Sequence, residues 1–220
     1  MSGFEPHWEA LPGPQRSIWP QLAPALKLGL VLYGGTAVAL RLGHRTSIDF
    51  DFFTQDPIVP DELGRELAFI RQSQVIQQQK NTLTVLAPSQ CGGVKISFFG
   101  DIGFGRVGSP DVTRDEVIKV ASLEDLLATK LKVLLQRVES KDYRDVAAIL
   151  RQGVNLETGL AAATSMYRPN FQPSEAMKAL TYFEGGDLGS LPPSERDYLT
   201  RAVSRIRTIP VVGIVSRSLS

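Results

Sequence analysis

The stretch Tyr33-Gly34-Gly35-Thr36-Ala37-Val38-Ala39-Leu40, followed by Ser47-Ile48-Asp49-Phe50-Asp51-Phe52-Phe53, decides the fold of this chain. Leu30 to Tyr33 is a short apolar, β-prone run that ends on two glycines, so it predicts a strand entering a turn. Thr36 is placed to cap a helix over Ala37 to Leu42, and Gly43 to close it. Ile48 to Phe52 alternates apolar and acidic residues with period two. That pattern predicts a strand with Asp49 and Asp51 on one face and Ile48, Phe50 and Phe52 on the other.

Working outward, residues 1–20 are rich in proline and hold both tryptophans, Trp8 and Trp19, which are placed to pin the segment down. Gln21 to Leu28 suggests a short helix. Asp61-Glu62 opens a helix to about Phe69, where acids complement the dipole. Gln74 to Gln78 and Leu83 to Leu86 read as two strands joined at Lys80-Asn81. Gly93 to Phe99 and Val117 to Val120 are further strands. The texture then turns helical. Ser122-Leu123-Glu124-Asp125 is a helix start, and Leu127, Leu131, Leu134 and Leu135 continue at helical spacing. A second helix is expected from about Lys141 to Leu150, closed by Gly153. Further helical runs lie near Ala161 to Met166, Ser174 to Phe183 and Glu195 to Ile206. The fold class is therefore α+β: a mixed sheet flanked by helices over residues 1–120, then a helical region over 121–220.

Composition bounds the function. The chain has 220 residues, 43% hydrophobic and 21% charged, with a formal net charge of +1. A charge this small argues against a general nucleic-acid coat protein, which needs a strong positive excess. The single cysteine, Cys91, allows no intramolecular disulfide and reads as a buried small residue or a loop thiol in a reduced, cytoplasmic protein. No signal-peptide pattern opens the sequence, and no apolar run approaches the roughly 20 residues that cross a bilayer. Two histidines, His7 and His44, and one cysteine do not make a zinc set. His44 reads as a turn or cleft-lining residue.

Two carboxylates at i and i+2 on a strand point into the same space and repel. A magnesium or manganese ion between them would cancel that repulsion, since hard cations prefer oxygen ligands. The same pair also suits the solvated face of an edge strand. Gly34 and Gly35 let backbone approach a ligand closely, and the following helix start offers free N–H groups to phosphate. A simple glycine turn has the same composition. The lysine and glycine spacing of a P-loop is absent, as is the dinucleotide pattern.

Gly34-Gly35-Thr36, then Arg45-Thr46-Ser47-Ile48-Asp49-Phe50-Asp51-Phe52, resembles the minimal nucleotidyltransferase core of the DNA polymerase β superfamily. Within it the chain is most similar to the AbiEii/AbiGii-type nucleotidyltransferase toxins and their uncharacterised relatives. Lys130, followed by Lys141, Asp142 and Asp145 in a Lys-Asp-x-x-Asp sequence, matches a second family element in the expected order. The resemblance covers roughly Leu30 to Leu150. It implies phosphate binding by Gly34, Gly35 and Thr36, with Arg45, Lys95 and Lys141 as further phosphate contacts. It implies Mg²⁺, or Mn²⁺, on Asp49 and Asp51. Lys130 would offset charge near the triphosphate, while Asp142 and Asp145 would hold that lysine, position the nucleotide or bind the acceptor. The helical region would complete the cleft.

The implied reaction is Mg²⁺-dependent transfer of a nucleoside monophosphate from an NTP to an acceptor, with RNA (tRNA) a family target and a cognate antitoxin a family partner. One position departs from the broad superfamily: Ser97 stands where many members carry a third carboxylate, and a serine cannot serve as an ionised ligand or base near neutral pH. Asp101 lies four residues on. This departure keeps open a non-catalytic nucleotide-binding or interaction module on the same fold. A small-molecule, aminoglycoside-like nucleotidyltransferase is the other alternative. Arg196, Arg201, Arg205, Arg207 and Arg217 are candidates for a weak basic surface, and Pro210 to Val215 for a docking segment.

Overall fold

The computed structural model of the chain describes residues 3–89 and 92–220, so Cys91 lies outside the described residues. After a short 3₁₀ turn at Trp8–Ala10 come α1 (Gly13–Ile18) and a 3₁₀ stretch over Trp19–Leu26. Then follow β1 (Val31–Tyr33), α2 (Gly34–Leu42), β2 (Phe50–Phe53) and α3 (Pro60–Glu66) with a 3₁₀ extension. The remaining strands are β3 (Gln74–Gln79), β4 (Thr82–Ser89), β5 (Gly92–Phe99), β6 (Asp111–Val112) and β7 (Lys119–Val120). Five helices follow: α4 (Leu123–Val133), α5 (Ser140–Arg151), α6 (Leu156–Tyr167), α7 (Pro173–Ala179) and α8 (Pro193–Ser204). The fold is α+β, with a central mixed sheet flanked by helices and a helical C-terminal region.

The sheet order is β3-β4-β5-β2-β1-β7-β6. β2 pairs antiparallel with β1 and parallel with β5, which makes it a central strand. Its sequence explains the place: Phe50 and Phe52 are fully buried and continue a row of rings, with Phe98 of β5 stacked 5.7 Å from Phe52. The opposite face carries Phe53, stacked 4.9 Å from Tyr33. Burying aromatic rings on both sides fixes the register, since a one-residue slip would exchange the two faces.

Two local expectations change. The ladder of β2 begins at Phe50, opposite Ile96, so Ile48 and Asp49 both precede the strand and only Asp51 of the two acids lies on it. Gln15 Nε2 donates to the Ile48 carbonyl at 2.8 Å, and the Ile48 side chain is 58% exposed rather than packed beside Phe50. Thr36 does not cap α2: the helix opens at Gly34 with Tyr33 as its N-cap. Its hydroxyl bonds across to the Asp49 segment, which a cap facing its own helix could not do. Lys130 and Lys141 lie on successive helices, as the sequence reading expects. α4 ends at Val133, and Arg137 turns back in the connection to grip Asp142.

Other expectations hold. Gly43 closes α2 at φ +62°. Trp8 and Trp19 meet edge to face at 5.0 Å, and Trp19 Nε1 donates to Asp115 at 2.7 Å, pinning the N-terminal segment. Asn81 takes φ +57° at the turn between β3 and β4. Arg41, near the end of α2, donates to the carbonyls of Ala121 and Val120 and to Asp111, tying α2 to the β7 side of the sheet.

The chain divides into two compact units. The first holds residues up to 105 together with 109–122 and 216–220; the second holds 106–108 and 123–215. The last residues thus belong with the first unit, where Leu219 is buried and its N–H donates to Gln55 Oε1 at 3.1 Å.

Candidate functional site

In the first unit, β1 and β2 run antiparallel with Tyr33 opposite Asp51, so the chain leaving β1 turns beside the Asp51 carboxylate. Gly34 takes φ +73°, a conformation that side chains other than glycine rarely adopt. A Cβ on Gly34 would lie 2.6 Å from Asp51 Oδ2. The glycine is therefore required twice, for its backbone angle and for the room it leaves the carboxylate. A Cβ on Gly35 would collide with the Arg45 guanidinium. Gly34, Gly35, Asp51 and Arg45 are thus brought together. Its Nη1 also donates to the Thr46 carbonyl at 3.0 Å.

Thr36 is nearly fully buried. Its hydroxyl lies 2.8 Å from Ser47 Oγ and donates to the Asp49 carbonyl. The first turn of α2 thereby sets the backbone position of Asp49, a link that sequence spacing alone does not reveal. Ser47, also buried, is a member of this arrangement that the sequence pattern did not single out. Lys95 on β5 reaches Asp49, Nζ to Oδ2 at 3.6 Å. Ser97, on the same face of β5 as Lys95, stands directly opposite Asp51 in the parallel ladder. It is buried and accepts a hydrogen bond from Thr84 at 3.3 Å.

The donor set fits a magnesium ion. Asp49 and Asp51 offer only hard oxygen ligands, and magnesium typically takes one or two carboxylates and keeps water or phosphate for the rest. The Lys95 ammonium beside Asp49 indicates that a positive charge is favourable at this position. Among the described residues no group of three or more His, Cys, Asp or Glu side chains is gathered for a metal.

In the second unit, Lys130 of α4 is only 3% exposed. Its Nζ lies 2.7 Å from Asp142 Oδ1 and 2.6 Å from Asp145 Oδ2, both carboxylates being fully buried. The i, i+3 spacing on α5 puts these acids on one face, aimed at the same ammonium. Arg137 adds a two-pronged clamp on Asp142, Nε to Oδ2 at 2.8 Å and Nη2 to Oδ1 at 3.1 Å. Lys130 and half-exposed Arg137 thus compensate the two buried carboxylates. Burial pushes the Asp142 carboxyl up, but the Arg137 and Lys130 charges outweigh it and hold the group below the ordinary carboxylate range. Lys141 points to a different partner, Glu139 at 2.7 Å, and is half exposed.

The start of α5 is fixed from elsewhere in the unit. Asp187 accepts from the Ser140 N–H at 2.6 Å and from its hydroxyl at 2.7 Å. These bonds to Ser140 lower the Asp187 pKa. Arg137 and Asp187 are the residues of this region whose part the sequence hides: each acts through a side chain that meets α5 only in the folded chain. Arg196 donates to the carbonyls of Leu188, Gly189 and Leu191, whereas Arg217 belongs to the first unit and donates to Gly103.

Known proteins share this chain's pattern. The family model for the nucleotidyl transferase AbiEii toxin of type IV toxin–antitoxin systems matches residues 21–200. The chain belongs to this family, and with it to the nucleotidyltransferase-like toxins. An uncharacterised protein of Aquifex aeolicus (strain VF5), aq_aa25, is 33% identical over 156 residues, spanning 70% of this chain and 73% of that one. The solution structure of the antibiotic-resistance factor ANT(2'')-Ia is similar at 17% identity and a TM-score of 0.48, covering 68% of this chain and 89% of that one. No helix among the described residues is long and apolar enough to cross a membrane.

Proposed function

We propose that this chain is a Mg²⁺-dependent nucleotidyltransferase that moves a nucleoside monophosphate from an NTP to an acceptor hydroxyl, with RNA as the acceptor class. The observation that carries the reading is the seat of the Asp51 carboxylate against Gly34, at the first turn of α2. It joins an acid suited to a hard cation with backbone suited to phosphate in one place. When bound, the metal supplies positive charge to the phosphates and to the departing pyrophosphate.

The protein's own residues divide the work. Asp49 and Asp51 would hold the cation, with Asp49 set in place through Thr36. Gly34 and Gly35 would let the phosphates approach the helix N–H groups, and Arg45, packed on Gly35, would add charge from the side. Lys95, beside Asp49, would add a further positive charge for a phosphate oxygen. The part of Lys130, Asp142 and Asp145 is to fix the first turns of α5: the Lys130 ammonium is already committed to two aspartates. Lys141, half exposed, is paired with Glu139 and stands apart from that buried cluster.

The observation that favours a second reading is Ser97. Opposite Asp51 it offers a hydroxyl already bonded to Thr84, and no ionised base. A nucleotide-binding protein without transfer activity would show this arrangement, and so would a transferase whose acceptor is activated from another position.

The test uses the whole chain with each of four α-labelled NTPs, Mg²⁺ and total RNA, beside Asp51→Asn. Label in RNA with the native chain alone is the expected result. Metal-dependent NTP binding without label would favour the second reading. Absence of binding, self-labelling and transfer would defeat both.

A further inference from the structure

The two edges of the sheet are built differently. The β6 edge is two residues long, begins with charged Asp111, and is covered by the N-terminal segment: Phe4 N–H donates to the Val112 carbonyl at 3.2 Å, and Arg114 N–H to the Phe4 carbonyl at 2.9 Å. Such covering is how native sheets keep an edge from pairing further. The β3 edge lacks that brevity, that charge and that cover. β3 is six residues long, Gln74-Val75-Ile76-Gln77-Gln78-Gln79, with no charge and no proline. Among the described strands it pairs only with β4, and every residue in it is exposed. A bulge between Val75 and Gln77 leaves Ile76 as the extra residue, so two apolar side chains, 50% and 53% exposed, stand side by side on the rim.

We infer that β3 is a self-association edge: two copies of this chain pair antiparallel through β3 and join their sheets. An uncharged strand meets its own copy without like charges opposed in any register, so the edge is its own complement about a two-fold axis. It holds no charge that would select an acidic or basic segment of another protein. Arg71, just before the strand, is committed to the Gly64 carbonyl at 2.7 Å. The paired rim shelters Val75 and Ile76, and glutamines on both copies can bond across it. Six residues span roughly 20 Å, so the contact is of the small, transient class.

The geometry of such a dimer follows from the strand order. A two-fold axis normal to the joined sheet puts the same face of both copies on one side. Asp51 of each copy then lies seven strand spacings from the other, roughly 34 Å.

Sedimentation velocity on the whole chain from about 1 to about 100 µM reads the association directly. A concentration-dependent dimer is expected, with Ile76→Lys monomeric and melting at an unchanged temperature because the site is exposed. Gln78→Lys is the second variant, should Ile76→Lys disturb the bulge. Hydrogen exchange supplies an independent reading: alternate β3 amides slow as concentration rises. A native chain that stays monomeric throughout, with β3 exchange independent of concentration, overturns the inference. So does a dimer that persists in both lysine variants.

Discussion

Gly34 leaves Asp51 its place: a Cβ on the glycine would stand 2.6 Å from Oδ2 of the aspartate. Gly34→Ala must therefore push the carboxylate aside while straining a backbone held at φ +73°. We expect at least a tenfold loss of Mg²⁺-dependent NTP binding, a difference of about 1.4 kcal/mol or more, with the fold retained. Titration of labelled NTP against the native and variant chains, with circular dichroism as control, checks it. Unchanged binding would separate Asp51 from the nucleotide.

Lys130→Met removes the ammonium shared by two fully buried carboxylates. Leaving buried charge uncompensated costs about 3–5 kcal/mol, so urea denaturation should show a loss of that order. Lys141→Met, at a half-exposed residue paired with Glu139, should lose less than about 1 kcal/mol. Equal losses would refute the distinction drawn between the two lysines.

Asp142 gives the stability a direction with pH. Its folded pKa lies below the ordinary value of 3.8, held there against burial by Arg137 and Lys130. The unfolded chain takes up the proton first, so this contribution is whole above about pH 4 and is lost as pH falls through the lowered folded value. Arg137→Met removes one of the two holding charges. Its acid-unfolding midpoint should move to higher pH, measured by fluorescence between about pH 2 and 5. A midpoint unmoved or lowered would contradict the sign.

Ser97→Asp would set a carboxylate directly opposite Asp51 at a buried position. Without metal, like charges at neighbouring strand positions should lower the melting temperature. With Mg²⁺ the loss should be recovered, and the metal-induced rise should exceed that of the native chain. A rise no larger than the native one would argue that position 97 does not face the cation.

Much of this was legible in the sequence, for identifiable reasons. The alternation of Phe50, Asp51 and Phe52 marked a strand, and its two buried rings marked the core face. The i, i+3 spacing of Asp142 and Asp145 put both acids on one helical face. Ile48 misled because alternation continues past the point where the ladder stops; backbone pairing with Ile96 begins at Phe50, and nothing in side-chain pattern marks that. Thr36 misled for another reason: a threonine before a helical run suits a cap, yet its hydroxyl serves a backbone carbonyl thirteen residues away. Arg137 and Asp187 were hidden because each meets its partner through a turn of the chain. The β6 strand escaped notice because two residues carry no period.

The return of residues 216–220 to the first unit sets an order on synthesis. Leu219 is buried there and bonded to Gln55, yet the ribosome makes it after the whole of α4 to α8. The first unit thus cannot close its packing around Leu219 until α4 to α8 have been made. A nascent chain halted short of Leu219 would carry the strands of that unit with part of their packing missing. An element distant in sequence is in this way a late component of the first unit's core.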